Sequence, residues 1–225
     1  MTHRCTSPLI TVNPVDFEQT LDKLERCLKD VRDWMSSNYL VLNDSKMELL
    51  HIRSHMRPCQ ELPPVTVDNF KVHFSPSVRN LGVFLDSHLN MNRHVNNICR
   101  NGSLALRRIG KIRCFLNKRS AETVVHALVT SLLDNCNSLL IGLPEKHISK
   151  LQRIQNSAAR LVTLTKNGDH ITPVFKDLHW LPIKYRIQYK VLLVTFKAVN
   201  GAAPHYISEL ICSYTPSRCL HSSSQ

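Results

Sequence analysis

From Asn92 onward the apolar residues recur at three- and four-residue steps almost without a break. This period constrains the chain more than any other feature, because it commits that stretch to helices. Six segments fit it, at about 92–114, 120–139, 145–165, 171–178, 183–199 and 204–212. Ser120, before Ala-Glu-Thr, reads as a helix N-cap. Pro144 fits the first turn of the third segment, where a missing N–H is harmless. Gly201 fits a C-terminal stop. No fixed-period repeat is visible, so a solenoid is not favoured.

The upstream part follows other rules. Residues 1–15 carry Pro8 and Pro14 and no period, and read as a poorly ordered lead-in. Asp16 opens a helix whose stripe is Phe17, Leu21, Leu24, Leu28, Val31 and Met35, with an end near Asn38. Between 40 and 90 the period changes. Glu48–Ile52 is a short apolar run, and Pro58, Pro63 and Pro64 punctuate a loop. Val65–Val67, Phe70–Phe74 and Val78–Leu85 read as strands, with a hairpin turn at Asp68-Asn69. The expectation is an α+β chain, mostly α: a helix and a small antiparallel sheet over 16–90, a basic helical region over 91–215, and a disordered tail over 216–225.

The 225 residues carry a formal net charge of +12, and it is not spread evenly. Residues 1–90 hold 10 basic and 11 acidic side chains, whereas residues 91–225 hold 19 basic and 6 acidic ones. A neutral first part and a second part of net +13 point to a polyanionic partner for the second. On the 145–165 segment Lys146, Lys150, Arg153 and Arg160 fall within one narrow sector. Ile148, Leu151, Ile154, Ala158, Leu161 and Val162 fill the opposite one. One such row is also what an ordinary solvated face looks like. A second row shifts the balance: Arg93, Arg100 and Arg107 are seven apart and Lys111 continues the line, with Arg108, Arg113, Lys118 and Arg119 crowding its end. Aromatics are sparse there, so contact with a phosphate backbone is favoured over base stacking.

Other function classes find less support. No run reaches 18 apolar residues, so no membrane span is expected. The N-terminus lacks the run and cleavage site of a signal peptide, and an intracellular place, cytoplasmic or nuclear, is expected. None of the eight cysteines forms a C-x-x-C pair, and Cys27, Cys99 and Cys136 read as small buried hydrophobes in a reducing compartment. His51, His55 and Cys59 have zinc-like spacing, but Pro58 and the strand pattern argue against a shared helical face. His170 and His179 read as structural. The six acids of the second part include no adjacent pair for a divalent metal, and no phosphate-cradling glycine motif occurs.

Several ordered strings carry a resemblance. They are Cys27–Met35, Asn38–Lys46, Asn80–Asp86, Leu133–Pro144, Leu151–Arg160 and His170–Pro182. Together they resemble the C-terminal part of the reverse transcriptases of non-LTR (LINE-type) retrotransposons, over roughly residues 16–220. The resemblance implies a right-hand polymerase, with the first helix and the palm-like sheet ending the palm and the helical region forming a thumb. It implies that Lys46 lies near the incoming nucleotide, and that the turn with Leu81, Gly82 and Val83 grips the primer end. It further implies that the basic rows at Arg93, Arg100, Arg107, Arg108, Lys111, Lys146, Lys150, Arg153 and Arg160 hold a template–primer duplex, RNA or RNA–DNA hybrid.

The departures bear on chemistry. The family's aromatic-Ala-Asp-Asp turn precedes the helix that starts here at Asp16, yet residues 1–15 hold no acidic residue. Met47-Glu48 stands where the family has Thr-Glu. Two-metal nucleotide transfer needs those aspartates. The expectation is therefore a polymerase fragment inactive alone, with magnesium needed only by a complete polymerase and no cofactor for the lone chain. Such a fragment would retain nucleic-acid binding and could pair with the missing polymerase half in trans. The alternatives are a helical protein-interaction module, or a degenerate remnant with no selected function.

Overall fold

The structure is a computed structural model that describes residues 14–54, 63–67 and 70–211. It divides into two compact units, one ending at Arg93 and the other starting at His94. The chain is mostly helical with a small antiparallel strand set. Residues 1–13 of the lead-in, the Asp68-Asn69 turn, the tail beyond 215, His55 and Cys59 lie outside the described residues, whereas Pro14 and Val15, read as part of the lead-in, already belong to the first helix.

The first unit opens with helix α1, Pro14–Ser37. Leu21, Leu24, Leu28, Val31 and Met35 are half-buried along one stripe, while Asp22, Lys23, Arg26, Lys29 and Asp30 are exposed. The helix ends in a left-handed residue, Tyr39, with φ 57°. The next N–H, of Leu40, returns to the Met35 carbonyl at 2.8 Å and satisfies an orphan acceptor of the last turn. Strands β1 (Val65–Val67) and β2 (Phe70–Val72) pair antiparallel, with Val65 against Val72. Glu25 of α1 accepts the Thr66 N–H at 2.9 Å and ties the helix to this ribbon.

A second ribbon corrects the sequence reading. The run Val78–Leu85 is two strands, not one: β3 (Ser77–Asn80) and β4 (Val83–Asp86) form a hairpin. Its two-residue loop is Leu81-Gly82, with φ 47° and 87°, so both central residues take the left-handed twist that matches paired strands. Glycine accepts that φ freely, while Leu81 does so at a cost and hid the turn inside an apolar run. The two ribbons are separate, and a parallel bridge joins Leu49, from the Glu48–Ile52 run, to Phe74.

The second unit is helical. Helix α2 spans Asn92–Ile112, its first two residues lying before the unit boundary, and a tight 3-10 turn follows at Arg113–Phe115. The segment read as 120–139 is α3 (Lys118–Val125), a π-helical turn (His126–Thr130) and α4 (Ser131–Asp134). It begins earlier because Asn117, rather than Ser120, is the cap: the Asn117 Oδ1 accepts the Ser120 N–H at 2.7 Å. It ends earlier because Asn135 is extended and Cys136 is left-handed, with φ 52°. Cys136 is thereby exposed, against the buried role expected of it, and Cys27 and Cys99 are only half-buried.

Helix α5 (Glu145–Thr163) is the axis of this unit, packed by α3, by α6 (Ile171–Asp177) and by α7 (Ile183–Val199). Leu151, Ala158, Ala159 and Val162 are buried on its inner face beside Val125, Val129, Leu133 and Ile187 from the core. Pro144 sits one residue before α5, with ψ 145°, not inside its first turn. Pro182 and Pro204 stand in the same place before α7 and α8 (His205–Ser208). Gly201 stops α7 with φ 66°, as expected. Among the described residues no helix is long and apolar enough to cross a membrane.

Candidate nucleic-acid interface

The cationic rows lie where their spacing placed them, opposite the buried faces of their helices. On α2 the buried residues are His94, Val95, Ile98, Gly102 and Ile109, and Arg100, Arg107, Arg108 and Lys111 are exposed. On α5 Lys146, Lys150 and Arg153 are exposed opposite Leu151, Gln155 and Ala158.

The two helices run side by side in the same direction. A Cβ on Gly102 would stand 2.9 Å from Ile154 Cγ2, so this glycine is what lets α5 approach α2 there. Further along, the Gly110 Cβ position is 4.0 Å from Leu161. Near the start of the seam the Lys150 ammonium donates to Asn96 Oδ1 at 3.0 Å. Asn96 is one turn before Arg100, so the α5 row comes up against the flank of the α2 row. The bond fixes the lysine without cancelling its charge, because the acceptor is neutral. Among the described residues the side chains of Arg100, Arg107, Arg108, Lys111, Lys146 and Arg153 have no ion-pair or hydrogen-bond partner.

Other basic residues are held for structural ends. Arg113 is buried. Its Nε and Nη2 donate to the Leu161 and Val162 carbonyls, both at 2.7 Å, and Nη1 donates to the Leu116 carbonyl at 2.6 Å. A planar fork thus caps the C-terminal end of α5, where the helix dipole also favours a cation. Arg160 shares the α5 sector, but its guanidinium is turned to the Lys166 and Asp169 carbonyls, at 3.3 and 3.0 Å. It organises the turn after α5 and keeps its charge. Lys118 pairs with Asp177 at 2.6 Å and draws that carboxyl below its usual value, first through the hydrogen bond and then through charge. Arg93 belongs to the first unit, where its guanidinium lies 4.7 Å from the centre of the Phe84 ring and donates to Ser77 Oγ at 3.2 Å.

The remaining sequence candidates stay apart. Lys46 ends a 3-10 turn, Asp44–Lys46, and is exposed. Arg32 of α1 anchors that turn through Asp44 at 2.5 Å. Leu81 projects from the hairpin, whereas Val83 is buried. No hydrogen bond or ion pair joins Lys46 to the hairpin turn among the described residues. No group of three or more His, Cys, Asp or Glu side chains gathers there either.

Sequence reasoning missed the joint that fixes α7. Gln155 Nε2 donates to the Leu181 carbonyl at 2.8 Å, and Gln152 Oε1 accepts the Ile183 N–H at 2.9 Å. Two glutamines of α5 thus satisfy backbone groups at the start of α7, so the strings 151–160 and 170–182 meet in space. Comparison of the chain with protein families, curated proteins and solved structures finds no match.

Proposed function

We propose that the chain binds a nucleic-acid duplex by its phosphate backbone, through the exposed cationic side of the α2–α5 seam. It would do so in the manner of the thumb region of a non-LTR reverse transcriptase, with RNA or an RNA–DNA hybrid as the partner. The observation that carries this reading is the set of six exposed cations, Arg100, Arg107, Arg108, Lys111, Lys146 and Arg153, that no carboxylate neutralises among the described residues. Lys150 joins them, held by a neutral amide. Solvated basic faces ordinarily carry interspersed acids, and α2 has none. Helical rows set side by side can follow a phosphate backbone without reading bases. The role assigned to these residues is binding. The primer-grip-like turn Leu81–Val83 and Lys46 take their parts from the resemblance alone.

The test is binding of an RNA–DNA hybrid by the whole chain across a salt series. The expected result is a steep linear fall of log affinity with log salt, since each neutralised phosphate releases counterions. Charge reversal at both Lys150 and Arg153 weakens binding by about tenfold or more at low salt, with the far-UV spectrum unchanged. A flat salt response, or no binding at low salt, overturns the proposal.

A further inference from the structure

The turn between α2 and α3 carries a bare aromatic ring at the end of the α2 cationic row. Phe115 closes the 3-10 turn Arg113–Phe115 and is 85% exposed, more than any other large apolar side chain described in the helical unit. The exposure does not come from a slack loop. The Arg113 carbonyl accepts the Leu116 N–H at 3.2 Å, and the Arg113 guanidinium returns to the Leu116 carbonyl. Two residues after Phe115, Asn117 caps α3. The ring is thus held between two anchored residues. It gains almost nothing from folding, since it is nearly as open to water as in the unfolded chain.

Charge and shape select what covers the ring. Lys111 stands four residues before Phe115 and Arg119 four after, and both are exposed. From Asn92 to Arg119 the chain has no acidic residue. Beside them, Asp177 is taken by Lys118 at 2.6 Å, and Glu122 of α3 by the Trp180 N–H at 3.3 Å. A fitting ligand alternates anionic groups with planar apolar faces, as a polynucleotide does. Inside a duplex those faces are covered by neighbouring pairs, so an unpaired base is what can reach the ring. Arg119 follows the ring in the chain, which favours a strand that continues past Phe115 over one that ends there. We infer that a single-stranded extension of the bound duplex leaves the α2–α5 row at this turn, one base stacking on Phe115 and its phosphates meeting Lys111 and Arg119. The inference rests on the proposed duplex site and adds to it a preference for a junction over a blunt end.

The probes are RNA–DNA hybrids of about 12 base pairs, enough to cover the roughly 30 Å of α2. One is blunt, and the others carry an extension of about four nucleotides at a 3′ or a 5′ end, with 2-aminopurine within it. Binding to the whole chain is read by fluorescence anisotropy, and stacking by quenching of the 2-aminopurine. At least one extended hybrid is expected to bind about tenfold more tightly than the blunt one, with its emission quenched. Abasic sites in the extension abolish that gain although the phosphates remain. Phe115→Ala and Phe115→Leu each remove the gain and the quenching and leave blunt-hybrid affinity within about twofold, whereas Phe115→Tyr keeps both. The side chain is exposed, so all three variants keep the fold. Equal binding of extended and blunt hybrids overturns this inference and leaves the duplex site standing. A full gain in Phe115→Leu, or with the abasic extension, overturns it as well, because apolar contact or phosphates alone would then explain the preference. So does an equal loss on blunt and extended hybrids in Phe115→Ala, which would place the ring on the duplex. No binding of any hybrid at low salt is the failure of the duplex site itself, and this inference falls with it.

Discussion

Two histidines show how single residues set the pH response. His94 and His147 are buried in the helical unit. Neither ring nitrogen of His94 has a hydrogen-bond partner, and Nδ1 of His147 also lacks one. Burial holds both rings below the ordinary histidine pKa; for His147 the charges of Lys146 and Lys150 add to the effect. In the unfolded chain such rings take up protons near pH 6.5, whereas in the fold they resist. As pH falls below about 6.5 the unfolded state therefore binds protons first and gains on the folded state. Stability is present above that pH and is lost on the acid side. His94→Leu removes two buried polar atoms without partners, so it is expected to add about 1 kcal/mol at neutral pH. It also shallows the loss between pH 7 and pH 5, leaving the share of His147. Urea denaturation of both proteins at the two pH values measures this, and an unchanged acid limb in His94→Leu refutes the assignment. The sequence could place His94 on a helix, but not on which face, since an imidazole fits either.

At the scale of elements, periodicity was a good guide to helices and a poor one to their ends. The helices α1, α2, α5 and α7 are legible because apolar residues recur at helical steps along each of them. The hairpin at Leu81-Gly82 does not show in the residue pattern, because a leucine in a left-handed position carries no turn signal, and only the family resemblance implied a turn there. The π turn at His126–Thr130 contains neither Gly nor Pro, so nothing in its residues announces it. The roles of Arg113 and Arg160 were equally hidden. Arg113 depends on where the carbonyls at the end of α5 come to rest, with Leu161 48 residues away, and Arg160 on the carbonyls of the turn that follows α5. That capping makes a strong prediction. Arg113→Ala leaves two buried-end carbonyls of α5 without their donor and is expected to cost about 3 kcal/mol. Arg113→Lys recovers only part, because a point charge cannot serve three acceptors held in a fork. Arg107→Ala, an exposed neighbour in the same row, should change stability by less than about 0.5 kcal/mol. Thermal or urea unfolding of the three variants distinguishes them. Equal costs for Arg113 and Arg107 would mean that the fork contributes nothing to the fold.

At the scale of the molecule the issue is whether the basic excess acts as a net charge or as a located surface. The sequence placed 19 of 29 basic residues after residue 90, and their sectors followed from helical spacing. The seam that brings two rows together did not follow, since it turns on Gly102 meeting Ile154 and Lys150 reaching Asn96. The two possibilities give different salt dependences. If the charge acts only through its total, removing any three cations lowers hybrid affinity and the salt slope alike. If the α2–α5 side is the binding surface, position decides. Lys146→Gln, Lys150→Gln and Arg153→Gln together should reduce the slope of log affinity against log salt by up to about 0.9 for each phosphate no longer neutralised. Lys23→Gln, Arg26→Gln and Lys29→Gln remove the same charge from the exposed side of α1 and should leave the slope unchanged. Both sets are exposed, so neither should perturb folding. Equal slopes in the two triple variants would show that the hybrid responds to overall charge, and the interface on the helical unit would have to be abandoned.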